Sequence, residues 1–354
     1  MNTRQTLNRL CASLALTATA AFAGNPFNAE TSTAGGYSTW DADLINIEAV
    51  PQTGRGVYVA VLDTGLVPNW RDFFPAARVA TQLGTGFHQP VSFKARNVDP
   101  CGFDVEVGNL QQSTWVGSRG STHGTHVAST ILGYFYDSNF DTVAGFPLPP
   151  IMVRGIAPEV TVIPVQVLSD YQIPARPQCP HPAQRAGFTA VFGTSEMVAA
   201  GIRYATDLKR AGYSPMVINM SLGGSVLDAI EKEAIDDAIA NGVIVVAAAG
   251  NEGEAGMSFP GAYAPVISAG SIGWTGEWLK PTGGLPRYRM WWLKYPNAPL
   301  LPGSGEVADA TNPADLYVSD FSSRALAGQQ LDVLAPGSWV RGPFPGDPGY
   351  NHLP

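Results

Sequence analysis

Six short apolar runs constrain this chain more than any other feature. Val57–Leu62, Val160–Leu168, Met216–Leu222, Val243–Ala248, Val266–Ala269 and Leu331–Leu334 are rich in Val and Ile and are continuous rather than alternating. A strand with one face in water alternates between apolar and polar residues, whereas a strand covered on both faces does not. These runs therefore predict buried, parallel strands. Helical patterns lie between them. Val198, Ile202, Ala205 and Leu208 share one helical face, and Leu227, Ile230, Ala234 and Ala238 share another on a helix that stops near Asn241-Gly242. Strand and helix alternate, which predicts an α/β fold: three layers, with a mostly parallel central sheet flanked by helices.

Of the 354 residues, 45% are hydrophobic and 14% charged, enough apolar material for a large core and too little charge for a disordered chain. The net charge of −8 offers nothing to a polyphosphate backbone, so nucleic acid is not an expected partner.

The N-terminus reads as a targeting segment. Arg4 and Arg9 give a basic start, Leu10–Ala23 is apolar, and Ala21-Phe22-Ala23 has the small-x-small pattern of a signal-peptidase site. Residues 1–23 are therefore expected to be removed on export, and the protein to act outside the cell or in the periplasm. No later apolar run is long enough to span a bilayer, so no membrane association is expected after signal removal. Cys11 falls within the signal. Cys101 and Cys179 remain, and in an oxidising compartment they either pair or stay as two free thiols.

Two regions break the strand-helix rhythm. Residues 84–121 are rich in Gly, Ser, Asn and Gln with no clear period, and residues 275–318 hold Trp278, Trp291, Trp292 and several prolines. Both read as surface insertions of the kind often found at the rim of a site.

Three residues stand where an α/β sheet places its chemistry, at the carboxyl ends of strands or the start of a helix. Asp63 closes the first apolar run, His123 opens the run His123-Gly124-Thr125-His126-Val127-Ala128, and Asn251 follows Ala248-Ala249-Gly250. Asp63 and Asn251 each have a plain structural alternative as a turn residue. His123 and His126, three apart, suit one metal ion only in part: the Glu of His-Glu-x-x-His is absent and no third ligand lies near.

Taken in order, these runs resemble the subtilisin-like serine proteases. The resemblance rests on Val61-Leu62-Asp63-Thr64-Gly65, His123–Ala128, Asn219-Met220-Ser221-Leu222-Gly223-Gly224, Ala248-Ala249-Gly250-Asn251, Phe321-Ser322-Ser323-Arg324 and Ala335-Pro336-Gly337, and it covers roughly residues 38–340. It implies a serine endopeptidase acting on protein or peptide substrates and needing no cofactor for its chemistry. Asp63 would orient His123, His123 would be the general base and then the acid, and the Asn251 amide would donate to the oxyanion. Ser221, Leu222, Gly223 and Gly224, with Ala249 and Gly250, would bind an extended substrate, the first four by strand addition.

The family nucleophile lies in a Gly-Thr-Ser-Met-Ala-x-Pro run after the Ala-Pro-Gly segment. Ser338–Pro354 holds no such run, and its one serine is Ser338. Residues 24–354 are thus expected to be a peptidase domain lacking its C-terminal part and its serine. The alternative is a catalytically dead relative that binds extended peptides. Gly193-Thr194-Ser195-Glu196-Met197 superficially resembles the motif but precedes Asn251, and Thr194 or Ser195 reads as a helix N-cap with Glu196 in the first turn. Structural calcium is common in the family. Asp72 falls where one ligand often sits, but a lone Asp is no metal site.

Overall fold

The computed structural model describes residues 26–117, 121–137, 150–275, 312–344 and 349–353, the last of these as backbone alone. The expected signal segment and Trp278, Trp291 and Trp292 lie outside the described residues.

Among the described residues nine strands form the central sheet: β1 (Tyr58–Asp63), β2 (Thr85–His88), β3 (Gln111–Ser113), β4 (Thr161–Gln166), β5 (Met216–Met220), β6 (Ile244–Ala248), β7 (Ile267–Trp274), β8 (Leu316–Val318) and β9 (Val333–Pro336). Their order is β8-β7-β6-β5-β1-β4-β2-β3, with β9 also paired to β7. The pairs β1–β5, β1–β4, β5–β6, β6–β7, β7–β9 and β2–β4 are parallel, while β7–β8 and β2–β3 are antiparallel. The result is a mixed, mostly parallel sheet with flanking helices, and each of the six apolar runs supplies one of its strands.

The continuous apolar character of β1 has a direct cause. Val59 and Val61 enter one core, with Ala128 and Leu132 of helix α1 (Thr122–Leu132). Ala60 and Leu62 enter the opposite core, with Val198 and Ile202 of α2 (Ser195–Arg210) and Ile235 of α3 (Ala229–Ala240). Successive side chains point to opposite faces, and both faces are covered, so Val59–Leu62 are all apolar and the strand turns polar only at its last residue, Asp63.

Thr194 caps α2, its side-chain oxygen accepting the Met197 N–H at 3.2 Å, with Glu196 in the first turn. The region 84–121 is more regular than its composition suggests. β2 and β3 extend the sheet, and Val91–Ala95 pairs with Phe103–Val107 as a projecting hairpin. Strands β2 and β3 are short, Thr-Gly-Phe-His and Gln-Gln-Ser, and hold no continuous apolar run, so they carry no signature to read. Cys101 and Cys179 form a disulfide, which settles the two readings of these thiols. Arg176 reinforces this junction by donating to the carbonyl oxygens of Arg96, Asp99 and Pro100. Among the described residues no helix is long and apolar enough to cross a membrane.

Candidate active site

Asp63 ends β1 fully buried, at the carboxyl edge of the sheet. Its Oδ1 accepts the Thr64 N–H at 2.6 Å and lies 2.8 Å from Nδ1 of His123. The second oxygen, Oδ2, is buried without a hydrogen-bond partner among the described residues. His123 is the second residue of α1, and the start of that helix is fastened to the end of β1 at several points. Ser121 Oγ donates to the Thr64 carbonyl at 2.7 Å, and Thr64 Oγ1 accepts the Gly124 N–H at 2.9 Å. Thr125 Oγ1 donates to the Ser121 carbonyl at 2.7 Å and accepts the Val67 N–H at 3.1 Å. The run Thr-His-Gly-Thr is explained by this contact. A Cβ on Gly124 would stand 2.4 Å from the Gly65 carbonyl oxygen, so only glycine allows the helix to come this close.

The Asp63 charge raises the pKa of His123 above the ordinary histidine value. Burial opposes the rise, and the hydrogen bond to Asp63 adds to it. Nδ1 is engaged by the carboxylate, which fixes the ring so that Nε2 is the nitrogen free for proton transfer. Among the described residues, His123 makes no hydrogen bond to a hydroxyl.

His123 and Thr64 open onto a cavity of about 490 Å³. One wall is Ser221–Gly224, which leaves the carboxyl end of β5, and another is Phe192–Ser195, leading into α2. Strands β1 and β5 are parallel neighbours, so the imidazole and the Ser221–Gly224 segment necessarily share one edge of the sheet. Gly224 is bridged to Phe259 by two backbone hydrogen bonds of 2.8 Å each. Leu222 and Gly223 take part in neither this bridge nor the β5 ladder among the described residues. They present a short backbone edge to the cavity.

Ala249, Gly250 and Asn251 are not among the cavity's lining residues. Ala249 is buried, its N–H bonded to the Ala269 carbonyl and its carbonyl to the Ser258 N–H, each at 2.8 Å. Gly250 takes φ +111° and accepts the Ser323 N–H. Asn251 is exposed at the carboxyl end of β6, with its backbone N–H donated to Glu252 Oε2 at 2.8 Å. The Glu252 carboxylate also accepts from Ser258 Oγ at 2.7 Å and Ser323 Oγ at 2.9 Å, and these bonds, that of Ser258 first, hold it below the usual range although burial opposes them. The Ser322-Ser323 run is thereby tied to the Asn251 loop.

His126, three residues from His123, points elsewhere: its Nε2 lies 3.2 Å from the Val340 carbonyl oxygen. Asp72 accepts from Asn69 Nδ2 at 3.0 Å. Among the described residues no three His, Cys, Asp or Glu side chains gather as a metal-binding group.

Sequence reasoning missed several contributors to the cavity, among them the Phe192–Gly193 wall and Glu231. The signal for Glu231 was present. The buried face of α3 is Glu231, Ala234, Ile235 and Ala238, an i, i+3, i+4, i+7 set in which one member is charged.

A subtilase family model matches residues 54–351. The chain is 29% identical over 230 residues to subtilisin DY of Bacillus licheniformis, covering 64% of this chain and 60% of that protein. It is 36% identical over 155 residues to the major intracellular serine protease of Bacillus subtilis (strain 168), covering 42% and 37%. With alkaline elastase YaB of Bacillus sp. (strain YaB) the figures are 31% over 250 residues, 66% and 48%. The chain thus spans less than two thirds of the length of each of these relatives. Among solved structures, the S41 psychrophilic protease and sphericase each align with a TM-score of 0.51 at 23% identity, covering 90% of this chain and 79% of theirs, a likeness of fold. The matched family is one of serine-type endopeptidases. This chain belongs to it: it is a member of the subtilase family.

Proposed function

We propose that this chain is the greater part of a secreted serine endopeptidase, in which Asp63 and His123 serve a serine outside residues 1–354. The observation that carries the reading is the buried Asp63 carboxylate 2.8 Å from His123 Nδ1, at the mouth of a cavity bordered by a free backbone edge. In this reading His123 Nε2 takes the proton of the attacking hydroxyl and returns it to the leaving amine. Asp63 holds the tautomer and stabilises the imidazolium. Leu222 and Gly223 pair with an extended peptide by strand addition, and Ala249 and Gly250 flank it. The Asn251 amide donates to the oxyanion, and its place at the carboxyl end of β6 with an exposed side chain supports that role. Export is supported by the basic-then-apolar start and by the Cys101–Cys179 disulfide, a bond of oxidising compartments.

The test is to sequence the transcript beyond the codon for Pro354 and to assay its product. The expected product carries a Gly-Thr-Ser-Met-like segment, cleaves casein, reacts with a fluorophosphonate and loses both properties on substitution of that serine. A stop codon directly after Pro354 would replace this reading with that of a relative that binds extended peptides without cutting them.

A further inference from the structure

Glu231 is an acid in a place that the proposed chemistry does not use. It lies in the first turn of α3, is only 6% exposed, and lines the same cavity as His123 and Ser221–Gly224. A glutamate at this point of a helix commonly reaches back to the N-cap backbone N–H. Here no hydrogen bond or ion pair to its carboxylate exists among the described residues, and the N-cap, Asp228, is another acid. The surrounding walls combine apolar side chains, Leu168, Val198, Leu222 and Val226 among them, with neutral Ser and Thr, and among the described residues they carry no Lys or Arg. The cation on the facing helix, Arg203, is engaged elsewhere: its guanidinium donates to the Ile230 carbonyl at 3.3 Å and stands 3.8 Å from Glu233. Burial, with a smaller contribution from Asp228, pushes the Glu231 carboxyl up to about 7.

A buried carboxylate without a counter-ion is unfavourable, and among the described residues none is present. The vacancy is matched by a group arriving from outside: a cation on an aliphatic stem long enough to pass the apolar walls. We propose that Glu231 is a specificity-determining residue of the cleft, selecting extended peptides that place a Lys or Arg side chain against it. This rests on the reading of the cleft as a peptide-binding site. The ammonium or guanidinium would form a charge-assisted hydrogen bond with the carboxylate, shielded from water, while the methylene stem packs on Leu222 and Val198. A neutral side chain of equal length keeps the packing and leaves the carboxyl unmatched.

The test is binding of dye-labelled, alanine-based hexapeptides to the purified chain, followed by fluorescence anisotropy at pH 8. Each peptide carries one lysine, or its uncharged analogue norleucine, at successive positions. The expected result is one position where lysine binds about ten-fold or more tighter than norleucine. In Glu231→Leu that preference should vanish or invert while norleucine peptides still bind, and Glu231→Gln should lose most of it. Equal binding of the two peptides at every position overturns the proposal and leaves the peptide-binding reading intact, as does a lysine preference that survives in Glu231→Leu. If no hexapeptide binds the unmodified chain, both fail. Should Glu231→Leu not fold, Glu231→Gln takes its place, and a lysine preference that is unchanged in Glu231→Gln overturns the proposal.

Discussion

Thr64 Oγ1 accepts the backbone N–H of Gly124 at 2.9 Å, so the residue after the buried acid holds the residue after the imidazole. Asp63 and His123 are 60 positions apart in sequence, and this bond is one of the fastenings that give them one geometry. Thr64→Val keeps the shape of the side chain and removes the acceptor. A buried N–H left unmatched costs about 1–3 kcal/mol, which urea unfolding would register. Thr64→Ser should recover most of the loss, because the hydroxyl returns.

The His123 ring should titrate above its ordinary value, since the Asp63 charge favours the imidazolium. Following the ring protons by NMR across pH 4–9 should give a midpoint above 6.5, and Asp63→Asn should bring it down. The sign for stability follows. A histidine pKa raised by folding contributes stability that is fully present below the unfolded value and is lost as pH rises through the folded one. Asp63→Asn should therefore destabilise most at low pH, with the difference shrinking as the imidazole deprotonates. In a catalytically complete protein the same change should lower kcat by about 10⁴-fold, the loss typical of Ser-His-Asp triads. If Asn251 is the oxyanion donor as proposed, Asn251→Ala should cost about 10²–10³-fold, a magnitude taken over from loss of such a donor in a subtilisin.

Glu231, too, makes the folded state favour low pH. Its carboxyl is raised from 4.5 to about 7 by burial, with Asp228 adding to the rise. For a carboxyl whose pKa folding raises, the folded state favours the protonated form. Stability is then undiminished below 4.5 and falls as pH climbs through 7. Glu231→Gln should be nearly neutral at pH 4 and should stabilise the chain by up to about 2–3 kcal/mol at pH 8. Thermal melts at the two pH values would check this, and a constant difference would contradict it.

Gly124 should tolerate no side chain. A Cβ there would stand 2.4 Å from the Gly65 carbonyl oxygen, which is backbone and cannot move aside. Gly124→Ala should cost about 1–3 kcal/mol through overpacking. Gly224→Ala is the control, because nothing lies within 4 Å of an added Cβ at that position. Its melting temperature should stay near that of the unmodified chain.

The Cys101–Cys179 bond closes a sequence separation of 78 residues. Replacing both cysteines with serine should cost about 2–5 kcal/mol, mainly by freeing the unfolded chain. A reductant should lower the melting temperature of the unmodified protein and leave that of the double variant unchanged.

The sheet was legible because its central strands are covered on both faces, and that coverage writes itself as runs such as Tyr58–Asp63. Asp63 and His123 could be placed at one edge for the same reason. What could not be read were elements whose burial is not written as a continuous apolar run. Thr85–His88 joins the sheet between β4 and the edge strand β3, and its Thr-Gly-Phe-His sequence looks like loop. The cavity wall at Phe192–Gly193 follows from how α2 approaches β5, a tertiary relationship without a local signature. Glu231 was overlooked because the face assigned to its helix ran through Leu227 and Ile230. The helix begins only at Ala229, and its buried face turns by one residue.

The sheet divides labour as well as space. The imidazole rides on α1, on one side of β1, while Val198 and Glu231, which shape the cavity, belong to α2 and α3 on the other. On the proposed peptide-binding reading, substitutions that retune the preference of the cleft can therefore accumulate behind one face of the sheet without disturbing the acid–imidazole pair held from the opposite face. In evolutionary terms, that preference can drift between lineages while the pair stays fixed.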